Sequence, residues 1–147
     1  MRIAIASDHA AFGMKGELAA WLRAQGHEVD DLGPQDGGTS VDYPDYGYRL
    51  AAHVAAGRAD FGVAACGSGI GISIAVNRNP AVRCALVSEP LSAQLAREHN
   101  DANVIALGAR LIGVEMAKAC VAAFLATPFG GERHVRRVEK LSAPPAG

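Results

Sequence analysis

The sequence predicts an α/β protein: a three-layer α/β/α sandwich, Rossmann-like, built on a five-stranded parallel sheet. Two observations predict it. Short apolar runs alternate with helical patterns along most of the 147 residues, and most of those runs are too apolar to show either face to water, as strands covered by helices on both sides are. Five strand-to-helix alternations joined by right-handed crossovers place helices on both faces of one sheet.

The strands are expected at 2–7 (RIAIAS), 28–33 (EVDDLG), 61–66 (FGVAAC), 82–88 (VRCALVS) and 103–108 (NVIALG). Between the first two, Met14, Leu18, Trp21 and Leu22 recur at i, i+4, i+7 and i+8 before Gly26. That pattern predicts an amphipathic crossover helix with a glycine stop. Further helices are expected over 45–56, over 69–77, from Ser88 as N-cap to about His99, over 111–125 and over 132–141. The breaker TPFGG separates the last two, and SAPPAG reads as a flexible tail over 142–147. Half the residues are hydrophobic, which supplies one substantial core and not two, so 1–147 is expected to be one domain.

Composition excludes several function classes. The formal net charge is -1, and basic residues are scattered except for a late cluster, so no overall field attracts nucleic acid or an anionic membrane. The longest uncharged stretch, from Phe61 to Asn77, is broken by glycines and polar residues and fails as a membrane span. MRIAIASD has too short an apolar run for a signal peptide, so a cytoplasmic protein is expected. Cys66, Cys84 and Cys120 are odd in number and far apart, which argues for free thiols over a disulfide framework or a zinc site.

Ligands of a parallel α/β sheet bind beyond the carboxyl ends of its strands. Those ends carry Ser7-Asp8-His9, Leu32-Gly33, Cys66 with the loop Gly67-Ser68-Gly69-Ile70-Gly71, Ser88-Glu89 and Gly108-Ala109-Arg110. A carboxylate, an imidazole, a thiol and a guanidinium thus reach one edge. The glycine loop has neither the spacing of a dinucleotide site nor the lysine of a P-loop. Its backbone N–H groups could line a pocket for developing negative charge on oxygen, and a helix start stabilises a thiolate at Cys66. The ordinary alternatives are a buried hydrophobe at Cys66 and close helix-to-strand packing at the glycines. Asp8 and His9 equally suit a solvated turn. Arg133 and Arg137 stand at i and i+4, with Arg136 beside them. Paired guanidinium groups suit a phosphate, although a solvated basic face has the same pattern. His99 ends a helix that runs back from the carboxyl edge, so it belongs near the opposite edge from Cys66, as Arg133 does. Residues so placed would serve a neighbouring subunit's site, which predicts a dimer with interface active sites. A histidine complementing the helix dipole is the plainer reading of His99.

SDHAAFGMK near the start, VDYPDYG at 41–47, CGSGIGISIAVNR at 66–78, SEPLSAQLAREHNDANVIALGAR at 88–110 and RHVRRVEKL at 133–141 resemble, in order and spacing, the type B ribose-5-phosphate isomerases, a superfamily that includes galactose-6-phosphate and allose-6-phosphate isomerases. The resemblance covers nearly the whole chain. It implies interconversion of ribose 5-phosphate and ribulose 5-phosphate through a cis-enediolate, without metal or organic cofactor. It further implies Cys66 as base, Ser68 as proton carrier between the substrate oxygens, and His99 with Asp8 in ring opening. Tyr43, Asn100 and the backbone of Gly67, Gly69, Ile70 and Gly71 would hold the sugar. His9, Arg133 and Arg137 would grip the phosphate, with Arg110 assisting, in a homodimer sometimes paired into a tetramer. A branch of the family with a glutamate further along the loop would place it near Ala75, where this chain has no carboxylate. Leu91, in place of an aromatic residue, and the lead GPQDGGTSVDYP into Tyr43 depart from the pattern and bear on substrate preference. Another four- to six-carbon sugar phosphate is thus an alternative substrate, and a nonenzymatic sugar-phosphate or nucleotide sensor an alternative of another class.

Overall fold

The computed structural model describes residues 1–146. The elements run β1 (Arg2–Ser7), a 3-10 turn (His9–Ala11), α1 (Phe12–Ala24), β2 (Glu28–Asp31), α2 (Tyr43–Ala55), β3 (Phe61–Cys66), α3 (Ile70–Val76), β4 (Cys84–Leu86), α4 (Pro90–Asn100), β5 (Val104–Gly108), α5 (Val114–Ala126) and α6 (Arg133–Ser142). All strand pairs are parallel and the order is β2-β1-β3-β5-β4. From β1 the chain moves outward to β2, whereas β3 lies on the other side of β1. The connections therefore diverge between β1 and β3, and a crevice opens beyond their carboxyl ends.

Strand alternation decides which face each residue feeds. Ile3, Ile5, Val63, Ala65, Ile105 and Leu107 point to one face and pack with Leu18 and Leu22 of α1, Ala93 of α4, and Val121 and Phe124 of α5. Burying each such Leu or Ile contributes about 1.5–3 kcal/mol. Ala4, Ala6, Ala64, Cys66 and Ala106 point to the other face, against Leu50 and Val54 of α2 and Ile72 and Val76 of α3. This second face is made of small residues, so α2 and α3 sit close to the sheet and Cys66 joins their side of it.

The parallel α/β architecture is as the sequence predicts, with corrections at the edges. β2 and β4 are shorter than expected and partly exposed, because each has a strand neighbour on one side only. The α4 cap is Glu89 and not Ser88: Pro90 occupies the first helical position, and the Glu89 carboxylate accepts the Ser92 N–H at 3.0 Å. α5 begins at Val114 because Leu111 and Ile112 first close a turn on the Gly108 carbonyl. Ser142, expected in the tail, closes α6; residues 143–146 are not helical, and Gly147 lies outside the described residues. No helix among the described residues is long and apolar enough to cross a membrane.

Candidate active site

Beyond the carboxyl ends of β1 and β3 lies a cavity of about 560 Å³ lined by Asp8, Tyr43, Cys66, Ser68, Gly71 and Arg110, among others. Asp8 continues β1 and is held in place by its own backbone N–H, which donates to the Ala65 carbonyl at 3.2 Å. Its side chain caps the following turn, Oδ1 accepting the Ala11 N–H at 3.2 Å. Asp8 is therefore buried by β1 geometry with one carboxylate oxygen already engaged. His9 accepts the Val41 N–H at Nδ1, 3.1 Å away, which assigns the ring proton to Nε2. Val41 belongs to the unusual lead into Tyr43, so that segment sets the His9 tautomer.

Cys66 ends β3 with only 4% of its surface exposed. The Gly69 N–H donates to its Sγ at 3.2 Å. The contact aims a backbone donor at the sulfur where β3 turns into the glycine loop. The turn that makes this contact needs Gly69: φ is +78°, and a Cβ there would lie 2.8 Å from the Leu107 carbonyl carbon. Ser68 Oγ accepts the Ile70 N–H at 3.2 Å, which leaves its own proton to donate. Gly71 lets the Tyr43 ring lie against the start of α3, since a Cβ there would come within 2.5 Å of Tyr43 Cε1. Arg110 lies over Gly67, whose carbonyl accepts the Arg110 N–H at 2.9 Å. Packing and pocket formation are thus served by the same glycines. Ala75, in contrast, is buried against α2 and does not line the cavity.

His99, Asn100, Arg133 and Arg137 are not part of this cavity. α4 runs from the carboxyl edge to the amino edge, and its last carbonyls bond to Arg83, just before β4 begins. The six-residue β3 alone separates the two edges by about 17 Å. Asn100 lines a second cavity of about 620 Å³ with Arg83, Cys84 and Leu141. His99 stacks on His134, ring centroids 4.5 Å apart and planes 14° apart, which brings the start of α6 to the end of α4. Burial and then the charges of Arg133, His99 and Arg137 push the His134 imidazole below its usual range, with Glu98 opposing. Leu91 is 60% exposed and does not line the Cys66 cavity of its own chain.

Several structural features lie outside the expectations drawn from the sequence. His134 received no role, although it shares α6 with the arginine pair. Ile74 and Leu111 also line the Cys66 cavity. Lys15 is 1% exposed, its Nζ 2.7 Å from both Asp31 carboxylate oxygens. A lysine in step with Ala11, Leu18 and Leu22 was the available signal, because it places a charge on the buried face of α1. Among the described residues, no three His, Cys, Asp or Glu side chains are grouped to hold a metal.

Comparison with known proteins places the fold and the sequence. The ribose/galactose isomerase family model matches residues 3–141. Ribose-5-phosphate isomerase B of Escherichia coli is 45% identical over 142 residues, covering 97% of this chain and 95% of that protein. A D-erythrulose-4-phosphate isomerase of Pectobacterium atrosepticum is 39% identical, covering 96% of this chain and 93% of the relative. The structure of Clostridium thermocellum ribose-5-phosphate isomerase B superposes with a TM-score of 0.94 at 44% identity, covering 97% and 95% of the two chains. With its fold and sequence matched over nearly its full length, the chain belongs to the ribose/galactose isomerase family.

Proposed function

We propose that this sugar-phosphate isomerase interconverts ribose 5-phosphate and ribulose 5-phosphate, with Cys66 as the base. The observation that carries the reading is the Cys66 Sγ beneath the Gly69 N–H, in one cavity with Asp8, Ser68 and Tyr43. The thiolate takes the proton from C2 of the open-chain aldose, leaving the electron pair in a cis-enediolate. Ser68 relays a proton from O2 to O1, and the thiol returns its proton to C1. No atom is gained or lost, so the step requires no oxidant or reductant. The N–H groups of the loop, with Arg110, face the enediolate oxygens and offset their charge.

Furanose ring opening precedes this: a base removes the O1 proton, the C1–O4 bond breaks, and O4 takes a proton. Asp8 and His99 are the assigned pair, with Tyr43 and Asn100 holding the sugar and His9, Arg133 and Arg137 holding the phosphate. Because the two halves of this set lie at opposite edges of one chain's sheet, the working site is shared between two copies. The exposure of Ile70, Ile74 and Leu111 at the cavity mouth supports that reading, since a second chain would cover them. A homodimer is the smallest assembly that completes two sites; a tetramer would pair such dimers. The chain is expected to work as one domain, with no nucleic-acid or membrane partner, in the cytoplasm.

The test is steady-state isomerisation of ribose 5-phosphate against four- to six-carbon sugar phosphates, with Cys66→Ala in parallel. Highest kcat/KM on ribose 5-phosphate, lost in the variant, is expected. Preference for a tetrose or hexose phosphate would move the substrate assignment. Undiminished turnover by Cys66→Ala would remove the base assignment, and binding without any turnover by the unmodified chain would favour a sensor.

A further inference from the structure

We propose that Arg83 is a positioning residue that holds α6 in register with the end of α4, and so sets Arg133 and Arg137 against His99 and Asn100. The inference rests on the reading of those four residues as the half-site presented to a second copy.

α6 has little packing to fix its own position. Of its ten residues only His134 is buried. Its start is tied down by the stack of His134 on His99 and by the Gly130 N–H, which donates to the Glu98 carbonyl at 2.9 Å. Its end is tied by Arg83. Arg83 Nη1 donates to Ser142 Oγ at 3.1 Å, and Ser142 is the last residue of α6. The same guanidinium grips the end of α4: Nε donates to the carbonyls of Asn100 and Asp101, each at 3.1 Å, and Nη2 to the Asp101 carbonyl at 2.9 Å.

The base of this fork is itself fixed. The Arg83 N–H donates to Asn103 Oδ1 at 2.8 Å, and its carbonyl accepts the Asn103 and Val104 N–H groups at 3.0 and 3.2 Å. The α4 end it grips is unusual as well. Asp101 has φ +46°, in the left-handed region that a residue with a Cβ disfavours. Its carboxylate is held by Arg97 Nη1 at 2.7 Å and faces Arg83 Nη2 at 3.5 Å. Two guanidinium groups thus over-determine the turn directly after His99 and Asn100. A lysine cannot replace the fork at Arg83, because a single ammonium nitrogen cannot span the α4 carbonyls and Ser142 in one plane.

The experiment compares Arg83→Lys, Ser142→Ala and, as reference, Arg137→Ala, each by steady-state kinetics on ribose 5-phosphate, competitive inhibition by inorganic phosphate, and thermal unfolding. Arg83→Lys is expected to raise KM and the phosphate Ki together about tenfold with kcat little changed, because misplacing the arginine pair weakens ground-state and transition-state binding alike. Ser142→Ala, which cuts only the α6 arm, moves both in the same direction by about threefold, the scale of one hydrogen bond, with an unchanged unfolding midpoint. A lowered midpoint with unaltered KM and Ki in both variants, while Arg137→Ala raises them, would make Arg83 merely structural. Unaltered KM and Ki in Arg137→Ala would instead overturn the reading of the half-site on which the inference stands.

Discussion

The Tyr43 ring lies against Gly71 so closely that a Cβ at Gly71 would sit 2.5 Å from Cε1 and 2.6 Å from Cζ. Tyr43 is 41% exposed, so Gly71→Ala should be accommodated by displacing its side chain and not by unfolding. Alanine is the better helix former by about 0.8–1 kcal/mol, which offsets the displacement. Stability should therefore be unchanged or slightly raised while kcat/KM falls about tenfold, the scale of a misplaced substrate contact. Denaturant melts alongside kinetics check this, and full activity in Gly71→Ala would remove Tyr43 from the site.

Thiol chemistry should single out Cys66. Burial pushes the Cys84 thiol up to about 12, and burial followed by Glu89 raises that of Cys120. Cys84 retains some exposed surface, but its raised thiol holds little of the reactive thiolate at neutral pH. The first equivalent of iodoacetamide is expected on Cys66, with loss of activity in step and protection by ribose 5-phosphate. Peptide mass spectrometry reads the site; first modification at Cys84 would contradict the assignment.

A tetrose 4-phosphate has no free hydroxyl with which to close a furanose ring, so it enters already open. If His99 serves ring opening, His99→Asn should lower kcat/KM on ribose 5-phosphate by about 100-fold, a typical acid–base contribution. On erythrose 4-phosphate the loss should be far smaller. Equal losses on both sugars would give His99 a binding role instead.

The strand ends were legible from sequence because apolar runs stop abruptly at Asp8, Cys66 and Arg110, and glycines mark the loop that aims an N–H at the Cys66 thiol. The placement of His99 and Arg133 away from Cys66 followed from helix direction alone. What sequence did not yield is side-chain partnership across distant segments. Lys15 announces itself by breaking an apolar stripe, but nothing local points to Asp31. Arg83 looks like any arginine before a strand, since its acceptors are backbone carbonyls and a serine 59 positions away. Ser88 suits an N-cap by residue type, whereas Pro90 at the first helical position makes Glu89 the cap.

His134 makes stability depend on pH. Its imidazole lies below the ordinary value near 6.5, first through burial under His99 and then through Arg133, His99 and Arg137, with Glu98 on α4 opposing. The unfolded chain thus takes up this proton before the folded one as pH falls. The contribution to stability is fully present above the unfolded value and is lost as pH drops through the folded one. Unfolding midpoints from pH 7.5 to 5 should decline, and decline less steeply in His134→Gln. Parallel curves for the two proteins would exclude His134 as the source.

The Lys15–Asp31 pair should respond unequally to loss of its two members. Lys15 is enclosed, its side chain 2% exposed against 23% for Asp31, and it sits 5.1 Å from the Phe12 ring centroid. Removing the carboxylate in Asp31→Ala strands an ammonium in an apolar setting and also takes the acceptor from the Gly33 N–H, which donates to Oδ1 at 2.9 Å. That should cost about 3–5 kcal/mol, the range for an uncompensated buried charge. Lys15→Met fills the same volume with an apolar chain and leaves a carboxylate that water and Gly33 still solvate, so the loss should be nearer 1 kcal/mol. Urea melts of the two variants decide the order. If Lys15→Met were the more damaging, the lysine would be acting through contacts other than its charge.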